Sequence, residues 1–393
     1  PEQRRDISKL IDRQLMHMFA AFTTHPDFED NPGVPSGAYT VKLLGAEEVA
    51  GGPYVKISYS YKDIVVFAKA LFKGSGPRHI KFVLPKDPIT IYKKGFPSCP
   101  DENYNVVGQV GCELVAYRNL CTDEHYNTEP DFWYFWNPYK KGCPIKDEDL
   151  VTVQTKLTPM NVTNNTYPEY KRLYGGDKVV RVIYLVGVDH NFSDGDVGKQ
   201  NFQNAFKGLL AAGFKAEKDG DRSDHRKLSF CGRGTCMSVD MRLQDSGSLD
   251  FGRYAAEGMQ TADIFLYDGH SGLGHNLNIS RLSQILGKPL ELPNKYQIFF
   301  FRGCSTYAYY NHPYFALKRS DSDPKGTKNL DIITTGIGAL FAVGAKADLA
   351  FLTSIASGER PSWQTIMDRI YVAEGESSAL THVNGDEDNP HTP

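Results

Sequence analysis

The sequence predicts an α/β fold, in which a parallel sheet with helices on both faces follows a β-rich amino-terminal module. After residue 178, short apolar runs such as Val179–Val188 (VVRVIYLVGV) alternate with segments of helical periodicity. This alternation is typical of parallel strands that are buried on both faces. Before residue 150, short strand-forming runs are separated by glycine and proline turns. The length of 393 residues suits two domains, and we expect them at 1–150 and 178–393, joined by a polar linker at 151–177.

The individual elements follow from local patterns. Apolar residues at helical spacing predict a helix over 7–22, and a Gly51-Gly52-Pro53 turn between two strand-forming runs predicts a hairpin. In the second half, the predicted elements are a strand at Val179–Val188, a helix at about Val197–Ala212, a strand at Phe214–Glu217 or Lys227–Phe230, a helix near Phe251–Met259, a strand at Ile264–Tyr267, a helix at Ile279–Leu286, strands at Tyr296–Phe301 and Asn329–Thr335, and a helix at Ile337–Ala350.

Composition excludes several classes of function. Forty per cent hydrophobic and 23% charged residues are typical of a soluble globular protein. The formal net charge of −3 gives no field that would recruit nucleic acid or anionic lipid, so we expect neither as a partner. No run of apolar residues is long enough to predict a transmembrane helix. Because the chain begins at Pro1 and not at methionine, we expect a processed chain.

The seven cysteines are an odd number, which favours three disulfides and one working thiol. They are Cys99, Cys112, Cys121, Cys143, Cys231, Cys236 and Cys304. Disulfides form in oxidising compartments, so the pattern predicts a secreted, periplasmic or cell-surface protein. The alternative is that all seven are reduced and scattered by chance.

Two of the predicted strands end in reactive residues. Ile264–Tyr267 runs into Asp-Gly-His270-Ser-Gly-Leu-Gly, and Tyr296–Phe301 runs into Arg-Gly-Cys304-Ser-Thr. The active crevice of an open parallel sheet lies at the carboxyl ends of its strands, so neighbouring strands would bring His270 and Cys304 together. A thiolate nucleophile needs a base within hydrogen-bond reach, and imidazole is the usual one. We therefore predict a catalytic His270–Cys304 dyad.

The glycines around both residues leave backbone N–H groups for an oxyanion hole. We expect the N–H of Cys304 and one N–H from the Ser271–Gly272 turn to bind the tetrahedral intermediate. Either catalytic candidate alone would more often be a polar loop histidine or a core thiol. Their shared placement after apolar strands, with glycines on both sides, favours catalysis.

These two strand-end motifs resemble those of the caspase–gingipain–legumain group of cysteine peptidases (clan CD). The His–Cys separation of 34 residues is most similar to the gingipain-like members, and the resemblance covers roughly 179–358. It implies a caspase-like α/β fold, a peptide or protein substrate and a thioester intermediate, with no cofactor, although structural calcium suits an extracellular relative. In that group glycine usually follows the histidine directly, whereas here Ser271 intervenes, which puts the second oxyanion donor in question.

The resemblance also implies that the loop after the first strand helps to form the primary specificity pocket. Asp189, His190 and Asp194 lie in that loop, and an acidic residue there would favour Arg or Lys in the substrate. The alternatives are a solvated acidic loop or a calcium site at Asp194 and Asp196. A carboxylate that orients His270 fits the chemistry as well, but the sequence selects none.

Two other functions fit the same residues. The first is a catalytically inactive protein that keeps the scaffold as an extracellular binding module. The second is a metal-dependent hydrolase using Asp268, His270, His275 and His312, although His270 and His275 lack the spacing of a zinc-binding helix.

Overall fold

The computed structural model describes residues 2–28, 33–50, 55–67, 77–88, 91, 121, 136–160, 166–218, 222–376 and 379–388. The chain divides into two compact units, Pro1–Met160 and Asn161–Pro393. The division lies inside the predicted linker at 151–177. Each unit is described by itself.

The described residues of the first unit form one long helix and short antiparallel strands. Its elements are α1 (Glu2–Thr24), β1 (Val34–Pro35), β2 (Thr40–Glu48), β3 (Val55–Lys62), β4 (Val65–Val66), β5 (Arg78–Pro85) and β6 (Leu150–Leu157). The strands form three two-stranded sheets, β1 with β4, β2 with β3 and β5 with β6. The predicted helix over 7–22 lies within α1, and the predicted hairpin is the β2–β3 pair. The turn of that hairpin, 51–54, lies outside the described residues.

The core of the first unit forms between α1 and β5. Leu15 and Phe22 of the helix and Phe82 and Leu84 of the strand are all less than 5% exposed and belong to one cluster. Burial of each such side chain contributes about 1.5–3 kcal/mol to folding. The segment predicted as a linker contains most of strand β6. Apolar and polar residues alternate in its sequence LVTVQTKL, and the strand pairs with β5 along its whole length.

The second unit is a mixed α/β layer structure with an eight-stranded sheet. Its strands are β7 (Val179–Gly187), β8 (Lys215–Ala216), β9 (His225–Gly232), β10 (Thr235–Gln244), β11 (Ile264–Asp268), β12 (Gln297–Arg302), β13 (Leu330–Thr334) and β14 (His382–Asn384). Its helices are α2 (Tyr170–Leu173), α3 (Val197–Ala211), α4 (Leu249–Thr261), α5 (Ile279–Leu286), α6 (His312–Leu317), α7 (Gly344–Ala356) and α8 (Trp363–Ala373). The order across the sheet is β14-β13-β12-β11-β7-β10-β9-β8.

The sequence predicted a parallel sheet, but the observed sheet is mixed. Five strands, β13 to β10 in the sheet order, run parallel to their neighbours, whereas β14, β9 and β8 join antiparallel at the two edges. Strand β10 was not predicted, although polar and apolar residues alternate in its sequence TCMSVDMRLQ as in a strand with one buried face. The antiparallel β9–β10 hairpin therefore changes the expected pattern of one helix between each pair of strands.

Helices cover both faces of the sheet, as predicted. Leu266 and Phe300 face a core built with α3, α7 and α8, and their neighbours Phe265 and Phe301 face a second core built with α4, α5 and α6. Every residue of β11, β12 and β13 is buried. The predicted helix at 337–350 begins only at Gly344, because the preceding residues form a loop at the strand ends.

The start of α3 lies directly against the end of β7. A Cβ atom added to Gly198 would lie 2.1 Å from the carbonyl oxygen of Gly187 and 2.9 Å from Cα of Val188. Both contacts are with backbone, which cannot rotate away. Only glycine therefore fits at this position.

We predict that Gly198→Ala lowers the free energy of unfolding by about 1–3 kcal/mol, because α3 must move away from β7. Urea denaturation measures this change. Gly195→Ala is the matched control, since a Cβ atom there meets nothing within 4 Å. Equal stability of the two variants would contradict the prediction.

Candidate functional site

His270 and Cys304 follow two adjacent parallel strands at the same distance from their ends. Asp268 of β11 pairs with Arg302 of β12, and each candidate lies two residues beyond its strand. The pairing extends one step further, because the N–H of Gly269 donates to the carbonyl of Arg302 at 3.0 Å. Neighbouring strands are about 4.8 Å apart, so the predicted dyad residues emerge side by side at the carboxyl edge of the sheet.

Gly303 allows the two strand ends to approach closely. A Cβ atom at this position would lie 2.5 Å from the carbonyl oxygen of Gly269 and 3.4 Å from the backbone nitrogen of Ser271. The glycine before Cys304 is therefore a packing requirement of the two loops. The turn after Cys304 is also constrained, because Ser305 has a φ of 55° and is buried. A left-handed serine costs free energy and persists only where its surroundings impose it.

Asp189 contacts His270 directly. Its Oδ1 atom lies 2.7 Å from Nε2 of the imidazole, and the two side chains are 21% and 43% exposed. Asp189 follows β7, which is the parallel neighbour of β11 on the side opposite β12. Cys304, His270 and Asp189 therefore occupy three successive strand ends in that order.

Asp196 fixes the loop that carries Asp189. Its carboxylate accepts hydrogen bonds from the backbone N–H groups of Asp189, His190, Asn191 and Lys199 at 2.8–3.1 Å. Burial opposes ionisation of this carboxyl, but the four donors outweigh it and lower the pKa of Asp196 to about 2. Asp196 is also the N-cap of α3, so one side chain joins the helix start to the loop.

The other predicted pocket residues lie in the same loop. The side chain of His190 is 82% exposed and lies 3.5 Å from Oδ2 of Asp189. Asp194 is 95% exposed and pairs with Lys199 at 2.8 Å. The structure therefore places Asp189 against His270 and leaves His190 and Asp194 at the surface.

Backbone carbonyls in the loop after β11 point into the protein. The carbonyl of His270 accepts hydrogen bonds from the hydroxyl of Tyr267 and from Nδ2 of Asn276, both at 2.6 Å. The carbonyl of Ser271 accepts from the backbone N–H of Asn276 at 3.2 Å. In a planar trans peptide the N–H points opposite to the C=O, so the N–H groups of Ser271 and Gly272 point away from these buried partners.

Ser271 itself is buried in this turn. The hydroxyl of Tyr310 donates to its carbonyl at 3.0 Å, and the side chain is 4% exposed. Three successive residues of the turn have a positive φ: Gly272 (57°), Leu273 (51°) and Gly274 (84°).

A buried charge network lies under the strand ends. Nη1 of Arg302 lies 2.8 Å from Oδ1 of Asp268, and both side chains are only 1% exposed. Nδ2 of Asn201 donates to the other carboxylate oxygen at 3.2 Å, and Nε of Arg302 lies 3.7 Å from Glu374. Tyr184 donates to the buried carboxyl of Asp348 at 2.5 Å. Asp268 was one of the four residues of the alternative metal-site prediction, and in the structure its carboxylate pairs with the guanidinium of Arg302.

The pKa values in this network follow from burial and from the single guanidinium. Burial raises the pKa of Asp268, and Arg302 partly offsets that effect. Burial, then the charge of Asp268, raise the pKa of Asp348 well above its usual range. Burial also raises the pKa of Glu374. Burial therefore shifts the pKa of all three carboxyls in the same upward direction, and the charge of Arg302 acts against that shift.

The loop after β13 crosses over this network. Leu340 accepts a hydrogen bond through its carbonyl from Nη2 of Arg302 at 2.7 Å, and the carbonyl of Phe341 accepts from Nδ2 of Asn201 at 2.7 Å. The ring of Phe341 contacts the ring of His270 edge-on, with centroids 4.6 Å apart. Sequence analysis predicted a helix here and missed this contact.

Among the described residues, the cysteines form two pairs and one free thiol. The pairs are Cys121 with Cys143 and Cys231 with Cys236, at sulfur–sulfur distances of 2.05 and 2.04 Å, which are disulfide distances. The free thiol is Cys304, which is half-buried. The two remaining cysteines, Cys99 and Cys112, lie outside the described residues. Within the same described ranges, no helix is long and apolar enough to cross a membrane.

We predict that Arg302→Met lowers the free energy of unfolding at pH 7.5 by about 3–5 kcal/mol, because it strands buried carboxyls without their cation. The loss is expected to be smaller at pH 5. Without Arg302 the pKa values of the carboxyls rise further, the folded state binds more protons than the unfolded state, and stability falls as pH rises. Urea denaturation at the two pH values tests this.

Arg253→Met is the matched control for that experiment. Arg253 pairs with Asp250 at 3.5 Å, and the two side chains are 55% and 65% exposed. Exposed pairs contribute little, so we expect a change below about 1 kcal/mol. Similar losses in the two variants would contradict the structural role of the buried pair.

No family model matches this chain, and no curated protein is significantly similar to it. The chemistry open to the site follows from the side chains of Cys304, His270 and Asp189 and from the backbone around them.

Proposed function

We propose that the protein is a cysteine peptidase with Cys304 as nucleophile, His270 as general base and acid, and Asp189 as the residue that orients the imidazole. The observation that carries the proposal is the order of these side chains on three successive parallel strands, with His270 hydrogen-bonded to Asp189 at 2.7 Å. A nucleophile, a base and a group that orients the base are the parts that acyl transfer requires.

The hydrogen bond with Asp189 supports different roles for the two nitrogens of His270. Nε2 faces the carboxylate, so Nδ1 is the nitrogen that takes the thiol proton of Cys304. The carboxylate then stabilises the imidazolium that forms. The edge-on ring of Phe341 restricts rotation of the imidazole about its χ angles.

The reaction proceeds in two acyl-transfer steps. The thiolate of Cys304 attacks the peptide carbonyl, and the N–H groups of Ser271, Gly272 and Cys304 bind the oxyanion. His270 gives its proton to the leaving amine, which leaves a thioester on Cys304. Water activated by His270 then hydrolyses the thioester. No step needs a cofactor.

The fold and the location belong to the same proposal. The strand-end motifs resemble those of caspase-like peptidases, and the helices on both faces of the sheet suit a caspase-like domain. The two cysteine pairs at disulfide distance support a secreted, periplasmic or cell-surface location. The substrate we propose is a peptide or protein.

The direct test is incubation with a mixed peptide library, followed by mass spectrometry of the products. Cleavage by the wild-type protein that disappears in Cys304→Ala supports the peptidase. Cleavage that survives the substitution and stops with a chelator would instead identify a metal-dependent hydrolase. Absence of cleavage at any peptide bond would favour a non-catalytic binding protein.

We predict that Asp189→Ala lowers kcat by about 100-fold with little change in KM, because the imidazole loses its orientation and not its substrate. Steady-state kinetics on a peptide identified in the library measures both constants. Asp194→Ala is the matched control from the same loop, and we expect it to retain wild-type activity because this side chain is 95% exposed. Equal activity of Asp189→Ala and Asp194→Ala would contradict the role of Asp189.

A further inference from the structure

The loop after β7 leaves no carboxylate free to bind a basic substrate side chain. Asp189 is engaged by His270 at 2.7 Å, and Asp196 is surrounded by four backbone N–H donors. Asp194 is solvated and paired with Lys199. A cationic side chain that entered the site would lose water without gaining a carboxylate partner from this loop.

The loop after β13 runs beside the dyad. At one end the carbonyl of Ile337 accepts a hydrogen bond from the N–H of Ser305 at 3.1 Å, next to Cys304. At the other end the ring of Phe341 contacts His270. Residues 338–340 lie between these two anchor points, so they flank the space where the scissile bond must bind.

This flanking loop is apolar and carries no charge. From Thr335 to Ala345 the sequence reads TGIGALFAVGA, without an acidic or basic side chain. Arg302 holds the carbonyl of Leu340, and this residue is 58% exposed. A single exposed leucine is ordinary, but this one lies between the two points at which the loop is anchored beside Cys304 and His270.

A second exposed apolar residue belongs to the loop that carries Asp189. Phe192 is 49% exposed and follows Asp189 by three residues in the loop after β7. Apolar side chains thus occur in both loops that border the row of Cys304, His270 and Asp189. Burial of an apolar substrate side chain against them is favourable, whereas burial of a charge is not.

We infer that the site selects a large apolar side chain on the acyl side of the scissile bond, with Leu340 as a specificity-determining residue. The inference rests on the proposed peptidase activity and names its substrate class. It replaces the preference for Arg or Lys that an acidic loop would give.

The test is kcat/KM for a matched series of fluorogenic peptides that differ only at the residue before the scissile bond. The series contains Leu, Phe, Arg, Lys and Asp. We expect Leu or Phe to exceed Arg and Lys by at least about 10-fold, as differences in hydrophobic pocket contacts typically give. Leu340→Asp is expected to lower the ratio of kcat/KM for the Leu peptide to that for the Arg peptide by at least about 10-fold, because it adds a carboxylate to the loop that flanks the scissile bond.

Leu210→Asp is the matched control, since Leu210 is 39% exposed near the far end of α3, away from the carboxyl edge of the sheet. We expect it to leave the ratio unchanged, and thermal unfolding checks that both variants are folded. Cleavage that depends on Cys304 but is fastest after Arg or Lys would overturn the inference and leave the peptidase intact. An unchanged ratio in folded Leu340→Asp would also overturn it. Loss of all dependence on Cys304 would overturn the proposed function itself.

Discussion

The buried ion pair between Asp268 and Arg302 is the interaction on which the candidate site depends. The two residues end β11 and β12 in register, and both are 1% exposed. Removing charges from water is costly, and the geometry here offsets that cost with direct pairing and additional hydrogen bonds. Because His270 and Cys304 follow two residues later, any slip between these strands would separate them. The same guanidinium also holds the carbonyl of Leu340.

In the candidate site, the strands determine the order of the side chains and the loops determine their orientation. Strands β12, β11 and β7 fix the order of Cys304, His270 and Asp189. The loops then set orientation: Asp196 holds the backbone of Asp189, and buried hydroxyl and amide groups hold the carbonyls after His270. Preorganised N–H groups stabilise a developing oxyanion more than mobile ones do, because no reorganisation is needed during the reaction.

Part of this site could be predicted from the sequence. The buried strands β7, β11 and β12 were predictable because both of their faces are apolar, and the placement of His270 and Cys304 followed from where those strands end. The contact between Asp189 and His270 could not be predicted from the sequence. It depends on β7 lying beside β11 in the sheet, whereas β8, β9 and β10 separate these two strands in the sequence. Strand β10 itself was missed although its residues alternate between apolar and polar, with Asp240 and Arg242 on the less buried face, where they pair at 3.0 Å. The loop at 337–343 looked helical because its apolar composition does not reveal that Arg302 and Ser305 hold its carbonyls.

The central claim is that His270 activates Cys304, and the rate of alkylation of Cys304 by iodoacetamide at pH 7 tests it most directly. Mass spectrometry distinguishes this thiol from the cysteines at disulfide distance. We expect Cys304 of the wild-type protein to react at least about 10-fold faster than an unperturbed thiol, and His270→Ala to abolish the difference. A wild-type rate no faster than that of an unperturbed thiol, or a rate unchanged in His270→Ala, would contradict the account.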